Sequence, residues 1–296
     1  MFEGLSVAMV TPFRSGSIDL DATARLLEFM IEGGVQGLVV SGSTGEAATC
    51  SHEERRQLLT FVKERTKGRA WIVAGTGTNN TAESIVLTKM AEEVGVDGAM
   101  LVTPYYNKPT PKGQAAHFAA VARSTKLPIV LYNVPGRTAT NTTPDVLAMV
   151  QDVPNVKAVK EASGNLDQAS QLKAKTRYTV LSGDDSLTLP VIAVGGEGII
   201  SVAGQVAPRE MRALTDAARA GRTAEAQAMH QKLQPLFKAL FLESNPGPVK
   251  FLLSELGLVA NELRLPLVPV EPATEKAVLE AARASGLALA GAAART

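Results

Sequence analysis

Only one cysteine, Cys50, and three histidines, His52, His117 and His230, occur in 296 residues. A lone thiol excludes an internal disulfide and suits a reducing, cytoplasmic setting. Histidines this scattered, with no Cys/His pair at ligand spacing, give no sign of a bound metal. Charge of either sign is not in excess: the formal net charge is +1, with no basic block and no acidic tail. No electrostatic footprint for nucleic acid or an anionic membrane follows from that balance. Apolar runs stay shorter than a bilayer span. The N-terminus lacks the basic and apolar regions of a signal peptide. What is present, 45% apolar and 20% charged residues, is the composition of a soluble globular protein. The length admits one large α/β barrel or two ordinary domains.

Short β-branched runs alternate with helical patterns along most of the chain. Strands are expected at 6–11, 37–41, 71–74, 99–102, 128–132, 156–164, 179–182 and 198–202. Between them lie helix signals: Gly33-Gly34 as a stop, Ser51 with Glu54 as a capping box, Thr81 as a cap, and Pro111, Pro144 and Pro208 at first turns. Eight strands alternating with eight helices predict a parallel sheet closed on itself, a (β/α)8 TIM barrel over 1–221. An open doubly wound sheet competes, but no G-x-G-x-x-G follows the first strand. From 222 to 296 the pattern is helical only, at 223–242, 249–256 and 273–284. The Ala-rich run Ala281 to Ala294 reads as the end of the last helix.

The sixth strand carries the chemistry. Alternation places Val156, Ala158 and Lys160 on one face. If that face is the core, the Lys160 ammonium loses hydration, its pKa falls, and a neutral amine becomes available as a nucleophile. The plain alternative is a surface lysine at a strand end.

Barrel catalysis is built at the C-terminal ends of strands. That rule collects Thr11, Ser43, Thr44, Tyr105, Tyr106, Tyr132, Arg137, Lys160, Asp184 and Asp185. No histidine lies at a strand end, which argues against a Ser-His-Asp arrangement. A neutral lysine facing a carbonyl forms an imine, an electron sink that yields an enamine. Hydroxyls can relay the protons. The Gly42–Gly45 loop is either a tight turn or a carboxylate cradle. Tyr105 and Tyr106 suit packing as well as a site, and Asp184-Asp185 reads as a helix N-cap pair rather than as chemistry. The glycine run at 194–198 precedes strand eight, so it is not the barrel phosphate site.

In this order the residues resemble the pyruvate-dependent class I lyase and aldolase family that includes dihydrodipicolinate synthase and N-acetylneuraminate lyase. The matching segments are Gly42-Ser43-Thr44-Gly45-Glu46, Val102-Thr103-Pro104-Tyr105-Tyr106, Tyr132-Asn133-Val134-Pro135-Gly136-Arg137-Thr138, Val159-Lys160-Glu161, Leu181-Ser182-Gly183-Asp184-Asp185 and Asn245-Pro246-Gly247-Pro248-Val249-Lys250. The resemblance implies Lys160 as the Schiff-base lysine and Tyr132, Thr44 and Tyr106 as proton-relay hydroxyls, with Tyr106 reaching into a neighbouring subunit's site. It implies Ser43, Thr44, Arg137, Gly183 and Ile200 as substrate-binding positions, no cofactor or metal, and a homo-oligomer, a dimer with a shared site pairing into a dimer of dimers.

Arg137 points to the condensing branch of that family. There an arginine at this position binds the carboxylate of aspartate 4-semialdehyde, in the diaminopimelate route to lysine. One departure is Ser43, where many of these enzymes carry a second threonine; the hydroxyl is kept. The competing activity is an aldolase cleaving a 2-keto-3-deoxy sugar acid or N-acetylneuraminate. A non-catalytic keto-acid sensor is the competitor from another class. The lysine-effector positions implied by resemblance are Ala47, Ala48, His52, Arg55, Asn79, Glu83 and Tyr105. Ala47 and Arg55 depart from the lysine-sensitive pattern of serine and histidine.

Overall fold

The first strand, β1 (Gly4–Ala8), pairs on both of its edges and thereby closes the sheet. The computed structural model describes residues 1–289. Numbering barrel strands alone, β2 (Gly37–Val40), β3 (Trp71–Gly75), β4 (Gly98–Val102), β5 (Ile129–Asn133), β6 (Val156–Glu161), β7 (Thr179–Ser182) and β8 (Gly198–Ser201) follow in spatial as in chain order. Every adjacent pair is parallel and β8 returns to β1, so the expected TIM barrel is the observed one. Strands buried on both faces explain why these segments read as continuous β-branched runs.

Inward side chains form a compact inner cluster that includes Val39, Val73, Met100, Val130, Ala158 and Ile200. Phe2 stops the N-terminal end, its ring edge-on to Trp71 at a centroid distance of 6.3 Å. Outward residues such as Leu38, Ile72, Leu101, Leu131 and Val159 pack under the helices. Val156 does not share the Lys160 face as expected. The register between β5 and β6 shifts between Ile129 and Val130, pairing Ile129 with Val156 but Val130 with Ala158. The extra residue, exposed Lys157, turns Val156 into the outer cluster.

Most helix starts follow their sequence signals. Ser51 and Glu54 form the reciprocal capping box, and Thr110 and Thr143 each cap a helix that begins with proline. Thr81 is not a cap: Asn80 accepts from the amides of Ala82 and Glu83, while Thr81 Oγ1 bonds His117 Nδ1. One hairpin escaped the periodicity, Phe13–Arg14 paired with Ser17–Ile18. Its two-residue turn, Ser15 and Gly16, has positive φ at both positions, and strands this short have no readable alternation.

Beyond the barrel lie the helices Thr223–Ala239, Gly247–Glu255 and Pro272–Ala284. The first packs against the last barrel helix, Pro208–Arg219, and against Pro272–Ala284. The last helix ends at Ala284, before much of the alanine run it was expected to include; Ala290 to Ala294 lie outside the described residues. No helix among the described residues is long and apolar enough to cross a membrane.

Candidate active site

Lys160 occupies the inward position nearest the C-terminal end of β6, and β5 sets Tyr132 directly beside it as its register partner. The ammonium position lies 4.3 Å from the centroid of the Tyr132 ring. Lys160 is 5% exposed, and among the described residues no hydrogen bond or salt bridge reaches its Nζ. Withdrawing an unpaired ammonium from water costs several kcal/mol, so burial pushes the amine down to about 8. Carboxylates of Asp184 and Asp185 oppose the shift and Arg137 reinforces it. Burial also pushes the Tyr132 phenol up to about 12, which keeps it a protonated donor at neutral pH.

A chamber of about 60 Å³ opens over Lys160, lined among others by Tyr132, Thr44, Arg137, Gly183 and Asp184. Gly183 is there for space: a Cβ would lie 3.1 Å from Lys160 Cε and 2.5 Å from the Ala162 Cβ. The chamber continues outward into a cavity of about 320 Å³, which shares Gly42, Ser43, Tyr132, Arg137 and Asn245 with it. Ile200 is buried in the inner cluster on β8. The Gly42–Gly45 loop thus flanks the site, braced by Thr11 Oγ1, which donates to Gly45 O at 2.7 Å.

Arg137 is held by the short helix Pro135–Thr138, which follows β5 and read in the sequence only as loop. Its Nη2 donates to the carbonyl of Asn245 at 3.3 Å, leaving the rest of the guanidinium fork toward the cavity it lines. Tyr106 is the relay candidate that this chain does not bring in: it is 88% exposed, with φ at +71°. A non-glycine residue held in that region, at a loop tip, is strain of the kind found at functional positions.

Asp184-Asp185 is not an N-cap pair, since neither side chain bonds the turn that follows. Asp185 instead accepts from Ser201 Oγ at 2.5 Å and from the amides of Val202 and Ala203 at 3.2 and 2.9 Å. Those donors converge where β8 ends, so Asp185 ties the ends of β7 and β8 together. Glu161 does the same for β5 and β6. Its buried carboxylate accepts from Ser163 N at 2.7 Å, Gln168 Nε2 at 3.0 Å and Asn133 Nδ2 at 3.2 Å.

Sequence reasoning also missed Asn245. It stands in the Asn-Pro-Gly-Pro link, which read as a turn between helices, yet its Nδ2 donates to Thr44 Oγ1 at 2.8 Å. That bond occupies the Thr44 oxygen as an acceptor and frees the hydroxyl proton to be donated elsewhere. Its place in a segment shared with the lyase and aldolase family, and a polar side chain inside a Pro/Gly turn, were the available signals.

The expected effector positions fall into two groups. Ala47, Ala48, Arg55 and Tyr105 line the outer cavity. His52 pairs with Glu83 at 2.6 Å outside it, and the Asn79 carbonyl accepts from Asn107 at 2.8 Å. Arg55 donates to the Ala47 carbonyl, while its buried Nε has no partner among the described residues.

The model of the dihydrodipicolinate synthetase family matches residues 1–285. The 4-hydroxy-tetrahydrodipicolinate synthase of Maridesulfovibrio salexigens is 48% identical over 290 residues, 97% of this chain and 99% of its own. A crystal structure of dihydrodipicolinate synthase from Aquifex aeolicus superposes with a TM-score of 0.96 at 42% identity, covering 98% of this chain and 100% of that one. Another, the chloride-inhibited dihydrodipicolinate synthase of Acinetobacter baumannii complexed with pyruvate, gives 0.95 at 38% identity, covering 97% of this chain and 100% of that one.

Proposed function

The chain belongs to the dihydrodipicolinate synthetase family, and we propose that it condenses pyruvate with L-aspartate 4-semialdehyde to give 4-hydroxy-tetrahydrodipicolinate. The observation that carries this reading is the buried, unpaired Lys160 amine at the end of β6, facing Tyr132 across the chamber. Lys160 adds to the keto carbon of pyruvate, water leaves, and the iminium draws a proton off the methyl group to give an enamine. The enamine carbon attacks the aldehyde, and the substrate amine then displaces Lys160 as the ring closes. Tyr132 and Thr44 relay protons, and Asn245 orients the Thr44 hydroxyl. Arg137 binds the aldehyde's carboxylate, while the Gly42–Thr44 segment receives that of pyruvate.

The exposed, strained Tyr106 supports a site completed by a second copy of the chain, and we propose that this dimer pairs again and works in the cytoplasm. Mixing Tyr106→Phe with Lys160→Ala subunits should then restore some activity. Hybrids shown to form yet fully inactive would exclude the sharing.

Borohydride treatment in the presence of pyruvate should add the reduced pyruvate mass to Lys160. No adduct there means no Schiff-base enzyme, and a keto-acid sensor becomes the better account. Turnover of aspartate 4-semialdehyde, against cleavage of 2-keto-3-deoxy acids or N-acetylneuraminate, separates the synthase from the aldolase.

A further inference from the structure

Among the described residues lining the Lys160 chamber there is a single carboxylic acid, Asp184, and no step above employs it. Its main chain is occupied: Ser182 Oγ donates to the Asp184 carbonyl at 2.8 Å and receives its amide at 3.3 Å. Its carboxylate, unlike that of Asp185, takes no hydrogen bond among the described residues. Burial raises the Asp184 carboxyl, Lys160 lowers it, and Glu161 raises it further. A carboxylate facing Lys160 also opposes the neutral amine that imine formation needs. Its placement therefore works against the first step, and its use lies in a later one.

Ring closure has a proton requirement that the other groups in the chamber do not meet. The amino group of the second substrate arrives as an ammonium ion, which has no lone pair with which to displace Lys160. Tyr132 is held protonated by burial, the neutral hydroxyls of Ser43 and Thr44 pass a proton on but do not keep one, Arg137 is a cation, and the Lys160 nitrogen is bound in the iminium. Resting on the condensation proposed above, we propose that Asp184 is the catalytic base of ring closure, taking one proton from the substrate ammonium.

The freed amine attacks the keto-derived carbon of the Lys160 iminium, and a C–N bond forms as the iminium π electrons move onto Nζ. A second proton passes from the new ring nitrogen to Nζ. The bond from Nζ to carbon then breaks, Lys160 leaves as a neutral amine, and the ring nitrogen becomes the iminium with its remaining proton. Asp184 gives its proton to solvent, which offsets the proton taken up when neutral Lys160 became the iminium, so no net proton is released per turnover while the product leaves as the ring iminium. Arg137 and Asp184 line the same chamber, so together they suit the carboxylate and ammonium of an α-amino acid.

The test compares two aldehydes, aspartate 4-semialdehyde and its amine-free analogue 4-oxobutanoate, in wild type and Asp184→Asn. The variant should still form the borohydride-trappable pyruvate adduct on Lys160, no more slowly than wild type, because removing the carboxylate favours the neutral amine. It should also add 4-oxobutanoate to that adduct at the wild-type rate, since no amine is involved. Turnover of aspartate 4-semialdehyde should fall by roughly a hundredfold or more, with the adduct of both substrates accumulating on Lys160 in the mass spectrum. Loss of the pyruvate adduct, equal loss with both aldehydes, or unimpaired turnover would each overturn the assignment. Failure of the underlying condensation is distinguished by wild type alone, which would then form no adduct with pyruvate.

Discussion

The Nζ of Lys250 lies 2.5 Å from Oε1 of Glu46, and neither side chain is exposed to solvent. The Phe13 ring is 4.3 Å from that ammonium and, as closely, from the Arg264 guanidinium. The second carboxylate oxygen of Glu46 accepts from Arg264 N at 2.9 Å. Glu46 follows Thr44 by two residues, so this pair fastens the loop bearing Thr44 to the C-terminal helices. Removing one partner leaves a buried charge uncompensated. Lys250→Ala should cost about 3–5 kcal/mol in denaturant unfolding, whereas Lys250→Met with Glu46→Leu should recover most of it. A single-variant loss below about 1 kcal/mol, the scale of an exposed pair, would contradict a structural role.

Lys160→Ala should abolish both turnover and the pyruvate adduct while leaving the far-ultraviolet dichroism unchanged. Lys160→Arg should fail too, because a guanidinium stays protonated and is no nucleophile. Retention of more than a few per cent of activity by either variant would refute the imine mechanism.

The rate of imine formation should rise with pH through about 8, where Lys160 loses its proton. The direction follows from the chemistry, since the charged form predominates below that value and only the neutral form attacks. At pH 7 roughly a tenth of such a group is neutral, far more than of an ordinary lysine. Stopped-flow trapping of pyruvate across pH 6 to 10 reads this directly. A profile flat until about 10 would mean that burial does not depress the amine.

Arg137→Ala should raise KM for aspartate 4-semialdehyde roughly ten- to hundredfold, the loss of about 1.5–3 kcal/mol from a charge-assisted contact. Pyruvate adduct formation should be nearly unchanged. Equal damage to both substrates would contradict the assignment of Arg137 to the aldehyde.

Millimolar lysine should inhibit weakly or not at all. Ala47 offers no side-chain hydroxyl, and the permanent cation Arg55, already bonded to the Ala47 carbonyl, repels a second cation in the cavity that both line. Half-maximal inhibition well below a millimolar would overturn this, and Arg55→His should then change little.

The sequence by itself determined the barrel, because short continuous β-branched runs, helix caps and glycine turns are local signals that recur along the chain. It also marked Lys160, Thr44, Tyr132 and Arg137, since all of them stand at strand ends where barrel chemistry is built. Tertiary structure alone decided the rest. The shifted register that turns Val156 outward depends on pairing with β5 rather than on the residues of β6. Asn245 reaches Thr44, and Lys250 reaches Glu46, across about two hundred residues. Asp184 and Asp185 are adjacent and chemically identical, yet one faces Lys160 and the other ties down β8. Periodicity says which residues share a face of one element; contacts between distant segments, and the burial they impose on a charge, exist only once the barrel closes.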